Sequence, residues 1–158
     1  MWLRMRSLVG RNRFLDSFMI HFSEKGPLWF FAVLGLFAWQ GGSTERWTVL
    51  EALAAAVVTR GASEMIGRAC FRERPFVREG FQPLIHHRPS FSFPSNHAAC
   101  GFALAVPVLL HDIPFGLLLL GFALLLACAR VFVGVHYPRD VVAGALLGTL
   151  IAFLIDVI

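Results

Sequence analysis

Residues 114–140 read Pro114-Phe-Gly-Leu-Leu-Leu-Leu-Gly-Phe-Ala-Leu-Leu-Leu-Ala-Cys-Ala-Arg130-Val-Phe-Val-Gly-Val-His136-Tyr-Pro-Arg-Asp140. An apolar run long enough to cross a bilayer leads into an arginine, a histidine and an aspartate. A second apolar run, Val141 to Ile158, follows at once. Backbone inside lipid must satisfy its own hydrogen bonds, so two such runs predict helices. The polar residues between them predict chemistry at helix ends.

The rest of the chain agrees with this reading. It is 57% hydrophobic and only 15% charged, with 16 Phe and 4 Trp, against roughly 25% charged in a soluble domain. At 158 residues it is expected to form a single membrane-embedded domain over 1–158. All of its basic residues but Lys25 are arginine, spread between apolar runs rather than gathered on one basic face. That pattern argues against nucleic acid as a partner. Cys70, Cys100 and Cys128 show no Cys-x-x-Cys spacing and read as small residues of apolar segments. The basic start, Arg4 and Arg6, lacks the apolar core of a cleavable signal, because Arg11, Arg13 and Asp16 interrupt it.

Periodicity predicts about six helices, five of them plausible spans. Residues 12–24 form an amphipathic segment, interfacial or a short span, which Gly26-Pro27 should end. Leu28 to Trp39, Trp47 to Cys70, His97 to His111, Pro114 to Val135 and Val141 to Ile158 follow, with a polar loop over Arg72 to Asn96. Arginines at 4, 6, 11 and 13 favour a cytoplasmic N-terminus. If 12–24 spans, parity then puts the polar blocks outside the cytoplasm; if it lies on the surface, inside.

Three polar blocks stand out: Arg72-Glu73-Arg74-Pro75, Pro94-Ser95-Asn96-His97, and Arg130 through His136 to Asp140. In the third, Asp140 should reach one nitrogen of His136, fix its tautomer and leave the other nitrogen to attack phosphorus. The plainer reading is a helix cap beside an interfacial histidine. In the second, Ser95 or Asn96 can cap a helix whose free N–H groups suit an anion, with His97 placed to protonate a leaving oxygen. Arg74 and Arg130 suit a clamp on phosphoryl oxygens, since a guanidinium grips two oxygens and stays charged. Glu64 and Arg68, four apart on one helix, are expected to pair. His86-His87 has no carboxylate or cysteine at ligand spacing, so no metal site and no cofactor are expected.

The three blocks resemble the signature of the type 2 phosphatidic-acid phosphatase superfamily: Lys-x6-Arg-Pro, Pro-Ser-Gly-His, and Ser-Arg-x5-His-x3-Asp. Here they fall on Arg74-Pro75, Pro94-Ser95-Asn96-His97, and Ala129-Arg130 through His136 to Asp140, within residues 67–140. The phrases Arg72-Glu-Arg-Pro-Phe-Val77, Ser92-Phe-Pro-Ser-Asn-His-Ala98 and Leu15-Asp-Ser-Phe-Met19 are most similar to bacterial undecaprenyl-diphosphatases. The resemblance implies an all-helical enzyme of the bacterial cytoplasmic membrane that removes the terminal phosphate of undecaprenyl diphosphate outside the cytoplasm. It implies His136 as nucleophile, His97 as general acid and metal-independent catalysis.

Three positions depart from the signature. Gly67 stands at the first-block lysine, which leaves Arg68 next door as the candidate for that phosphate contact. Ala129 replaces a serine, and Asn96 replaces a glycine. The same residues would serve a phosphatase of phosphatidic acid, phosphatidylglycerol phosphate or lipid A, or a lipid phosphotransferase. A noncatalytic lipid-phosphate binder or carrier is the alternative of a different class.

Overall fold

The structure is a computed structural model and describes residues 7–157; Arg4 and Arg6, used above for orientation, lie outside them. Six helices follow in order: α1 Arg13–Gln40, α2 Ser43–Ala69, the short α3 Pro75–Arg78, α4 Asn96–His111, α5 Ile113–Phe132 and α6 Pro138–Asp156. There is no strand among the described residues.

The number of helices is as expected, but their division differs. Gly26-Pro27 does not end the first helix: α1 runs 28 residues with Pro27 inside. The missing proline N–H releases one carbonyl, that of Ser23, and the helix continues because Arg130 donates to that oxygen from α5. Asn12 starts α1 by accepting from the amides of Phe14 and Leu15 at 2.9 and 3.2 Å. The loop over 72–96 also holds α3, and its Ile85 packs with Val133 and Val135.

The links at Gly41-Gly42 and Asp112 are short, so α1 and α2, and α4 and α5, run antiparallel. The starts of α1, α4 and α6 therefore gather at one end with the ends of α2 and α5. Joining 12–24 to 28–39 in one helix puts the Arg13 end of α1 and the polar blocks on the same face. With one helix in place of two there, a cytoplasmic N-terminus would put the polar blocks on the cytoplasmic face.

Phe30, Leu34 and Phe37 of α1 form a buried core with Leu104 and Val108 of α4 and Leu119 and Leu126 of α5. Outside it, α5 exposes Leu117, Leu118 and Leu124, and α6 exposes Val142, Leu146, Leu150 and Leu154. Large apolar side chains turned outward on successive turns suit contact with lipid. α5 and α6 are each long and apolar enough to cross a membrane, and α4 is a shorter apolar helix. α6 meets α4 through Gly144 and Gly148: a Cβ at Gly144 would lie 2.5 Å from the Ser95 carbonyl oxygen, and one at Gly148 would collide with that of Ala99. This close approach brings Asp140 to the start of α4, where the Ser95 amide donates to the Asp140 carbonyl at 3.0 Å.

Candidate active site

Between α5 and α6 the chain turns at Gly134, whose φ of 88° is open to glycine and strained for other residues. The turn carries His136 inward, where it is 2% exposed. Its Nδ1 lies 2.8 Å from the Ser92 carbonyl, which can only accept, so Nδ1 carries the proton and Nε2 presents a lone pair. Arg74 Nη1 lies 3.2 Å from Nε2 and donates to the Val135 carbonyl at 2.9 Å. Nε and Nη2 of Arg74 both donate to Ser90 Oγ at 3.2 Å. Burial lowers the His136 pKa well below its ordinary value, and the charges of Arg74 and Arg130 lower it further. The imidazole is therefore neutral at neutral pH. Burial also lowers Arg74 to about 10 against the raising effect of Asp140, which leaves it charged.

Asp140 does not meet His136 in the manner its spacing suggests. Its Oδ2 stays 3.9 Å from Nδ1. The fully buried carboxylate accepts instead from Ser92 Oγ, from the Tyr137 amide at 2.9 Å and from Arg72 Nη1 at 3.0 Å. Ser92 thus links the two, with its hydroxyl on Asp140 and its carbonyl on His136. Arg72 also stacks over the Tyr137 ring at 4.5 Å.

Arg130, 3% exposed, reaches from α5 to α1. Its Nη1 donates to Ser23 Oγ at 3.2 Å and to the Ser23 carbonyl at 3.5 Å. Its Nε and Nη2 are buried with no acceptor, and Ser95 Oγ and Asn96 Oδ1 are also buried and unpaired. Orphaned buried groups are costly, and an anion with several oxygens would satisfy the guanidinium and the hydroxyl. Ser95 precedes α4 without capping it by its side chain. His97 lies in the first turn of α4, near enough to act electrostatically on His136.

Arg68 stands apart. It pairs with Glu64 at 3.3 Å on the exposed side of α2, as its spacing suggested, and it touches none of the residues above. The departure at position 67 has a steric reason: a Cβ on Gly67 would run into the Phe91 ring, so the loop before α4 occupies the space of a side chain. The residues that sequence reasoning left without a role are Ser23, Ser90, Ser92 and Arg72. His87, weighed there only for metal, belongs near the site too. Burial holds its imidazole down to about 4, against its bond to the Arg88 carbonyl, with Arg74 and Arg130 lowering it further.

The chemistry available is phosphoryl transfer. A neutral imidazole, its Nε2 lone pair facing Arg74 Nη1, sits near two buried guanidinia, with a second histidine at a helix start.

Comparison with known proteins agrees. The PAP2 superfamily model matches residues 46–157. Undecaprenyl-diphosphatase BcrC of Bacillus subtilis is 32% identical over 151 residues, covering 95% of this chain and 78% of the relative. Putative undecaprenyl-diphosphatase YbjG of Escherichia coli is 34% identical over 118 residues, covering 73% and 60%. Among solved structures, Aquifex aeolicus LpxE shares the fold, with a TM-score of 0.80, 24% identity, and coverage of 98% of this chain and 91% of that one.

Proposed function

The chain belongs to the PAP2 superfamily, and from there we propose that it is a membrane lipid diphosphatase that removes the terminal phosphate of undecaprenyl diphosphate. The observation that carries this is the Nε2 lone pair of His136 held against Arg74 Nη1, near the unpaired edge of Arg130. The likeness to proteins named undecaprenyl-diphosphatase over most of the chain supports the choice of lipid.

The terminal phosphoryl group binds against Arg74, Arg130 and Ser95 Oγ. Arg74 Nη1 turns from Nε2 to a phosphate oxygen and so unmasks the nucleophile. Nε2 attacks phosphorus, the bond to the bridging oxygen breaks, and that oxygen leaves with the lipid phosphate, protonated by His97. His97 takes up its proton when the bound phosphate offsets the charges of Arg130 and Arg74. The two guanidinia neutralise the equatorial charge as it spreads. Asp140 acts through Ser92, whose carbonyl holds Nδ1–H and supports the cation that forms on the ring. Water then attacks the phosphohistidine with His97 as base, the P–N bond breaks, and inorganic phosphate is released.

The enzyme works as a single domain in the bacterial cytoplasmic membrane, with its site on the outer face. The Arg13 end of α1 then lies outside too, against the usual bias of arginine to the cytoplasm. Cys70, exposed at the site end of α2, reports on this directly. In a Cys100→Ala, Cys128→Ala background, an impermeant maleimide should label it in intact cells; labelling only after permeabilisation would reverse the orientation.

The activity is tested by phosphate release from undecaprenyl diphosphate by detergent-purified protein in EDTA. Release by wild type and not by His136→Ala is expected. Equal release by both, or by neither, would refute the reading.

A further inference from the structure

Arg60 makes no hydrogen bond and no ion pair among the described residues, although it lies within the long helix α2. Arg60 is exposed on α2, so its guanidinium beside apolar surface is open to water or an anion. Its level in the bundle is fixed by a neighbouring contact. Cys100 Sγ donates to the Ala56 carbonyl at 3.7 Å. One turn along α2 from Ala56 toward the site is Arg60, and one turn back along antiparallel α4 from Cys100 is Asn96, next to His97. Arg60 and His97 thus share one layer, and the Arg60 charge acts on both His97 and Cys100.

Both line a groove of about 440 Å³ between α1 and α2, floored by α4. Beyond Arg60, Asn96 and His97 the lining is almost wholly apolar, including Phe31, Leu53, Val57 and Leu104. Phe31 and Val57 are 55% and 72% exposed, so the groove opens on the lipid side. A lipid diphosphate has the same order of parts: terminal phosphate, bridging oxygen, second phosphate, hydrocarbon. With the terminal phosphate at Arg74 and Arg130 and the bridging oxygen at His97, the second phosphate comes next, ahead of the apolar groove.

We propose that Arg60 binds the phosphate that stays on the lipid, which makes it the residue that selects a diphosphate headgroup over a monophosphate. This rests on the diphosphatase reading above. When the bridging bond breaks, that phosphate gains negative charge, and the guanidinium stabilises it as it departs. A lipid monophosphate puts an alcohol oxygen and then hydrocarbon in the same place and gains nothing from the cation.

The test compares kcat/KM for phosphate release from undecaprenyl diphosphate and from undecaprenyl phosphate, in wild type, Arg60→Leu and Arg60→Lys. The ratio of the two values is the readout, and any loss of folded protein cancels in it. Arg60→Leu should lower the ratio about 10- to 100-fold, the scale of one charge-assisted hydrogen bond, and Arg60→Lys should restore part of it. A ratio unchanged in Arg60→Leu, whether the separate rates hold or fall together, overturns the assignment. The wild-type arm separates the two ideas: failure to release phosphate from the diphosphate refutes the diphosphatase reading itself, whatever the variants do.

Discussion

Each end of the bundle holds a histidine beside a carboxylate at nearly the same distance. His136 lies 3.9 Å from Asp140 at one end, and His111 lies 3.8 Å from Asp156 at the other. The surroundings differ. His136 is buried against Arg74, with Arg130 close enough to act on it, and its Nε2 lone pair faces Arg74 Nη1. His111 has a side chain 36% exposed, points Nδ1 at the Pro107 carbonyl of its own helix, and has Glu51 as a further acidic neighbour. One Glu51 oxygen is buried there without a partner. The first pair sits in a positive field that draws phosphate, and the second in a negative one that repels it. A histidine–carboxylate pair by itself therefore carries little functional meaning; the guanidinia around it decide the chemistry.

The contrast is broken most severely by His136→Ala, which should cut phosphate release at least about 10⁴-fold, as removal of a covalent nucleophile does. Arg130→Leu should lower kcat/KM about 10²- to 10³-fold, the scale of a lost transition-state donor. Its thermal midpoint should fall little, because the loss of the Ser23 bonds is offset by removing a buried charge with two unpaired nitrogens. A large drop in that midpoint would mark Arg130 as structural. Ser92→Ala should cost about 10-fold, with Asp140 left buried beside Arg72, and mainly in kcat, since the Ser92 carbonyl that holds Nδ1 is kept.

The pH profile sharpens the same point. The folded-state pKa of His136 is depressed, so its neutral, nucleophilic form persists as pH falls through the ordinary histidine range and is lost only well below it. The acid limb of kcat/KM attributable to this group should therefore lie below about pH 6.5, the unperturbed value. In Arg74→Leu, which removes a lowering charge, it should move toward neutral. A limb near pH 6.5 in wild type that Arg74→Leu leaves in place would contradict the environment described. At the smallest end, His111→Gln should change activity less than about twofold, since it touches only the far-end acidic set; a loss comparable to Ser92→Ala would erase the contrast.

Arg130, His136 and Asp140 could be read from the chain because their types are unusual beside apolar runs and their spacing fits a helix end, a turn and a helix start. The relay through Ser92 could not, because it depends on a backbone carbonyl brought in from another segment. Ser23 was hidden for a related reason. Gly26-Pro27 reads as a helix stop, whereas Arg130 satisfies the carbonyl that the proline releases and the helix continues. Arg68 was drawn toward the site by its place beside the missing lysine. On a helix, one position turns a side chain by about 100°, and Arg68 faces Glu64 instead. Gly67 became intelligible only once Phe91 was seen packed against it.

The most direct measurement is to quench turnover of undecaprenyl diphosphate labelled in its terminal phosphate with alkali, which preserves phosphohistidine, and to map the label by mass spectrometry. Label on His136 in wild type, and none in His136→Ala, is the expected result. Label on another residue, or phosphate release that continues in His136→Ala, would contradict nucleophilic attack by this imidazole.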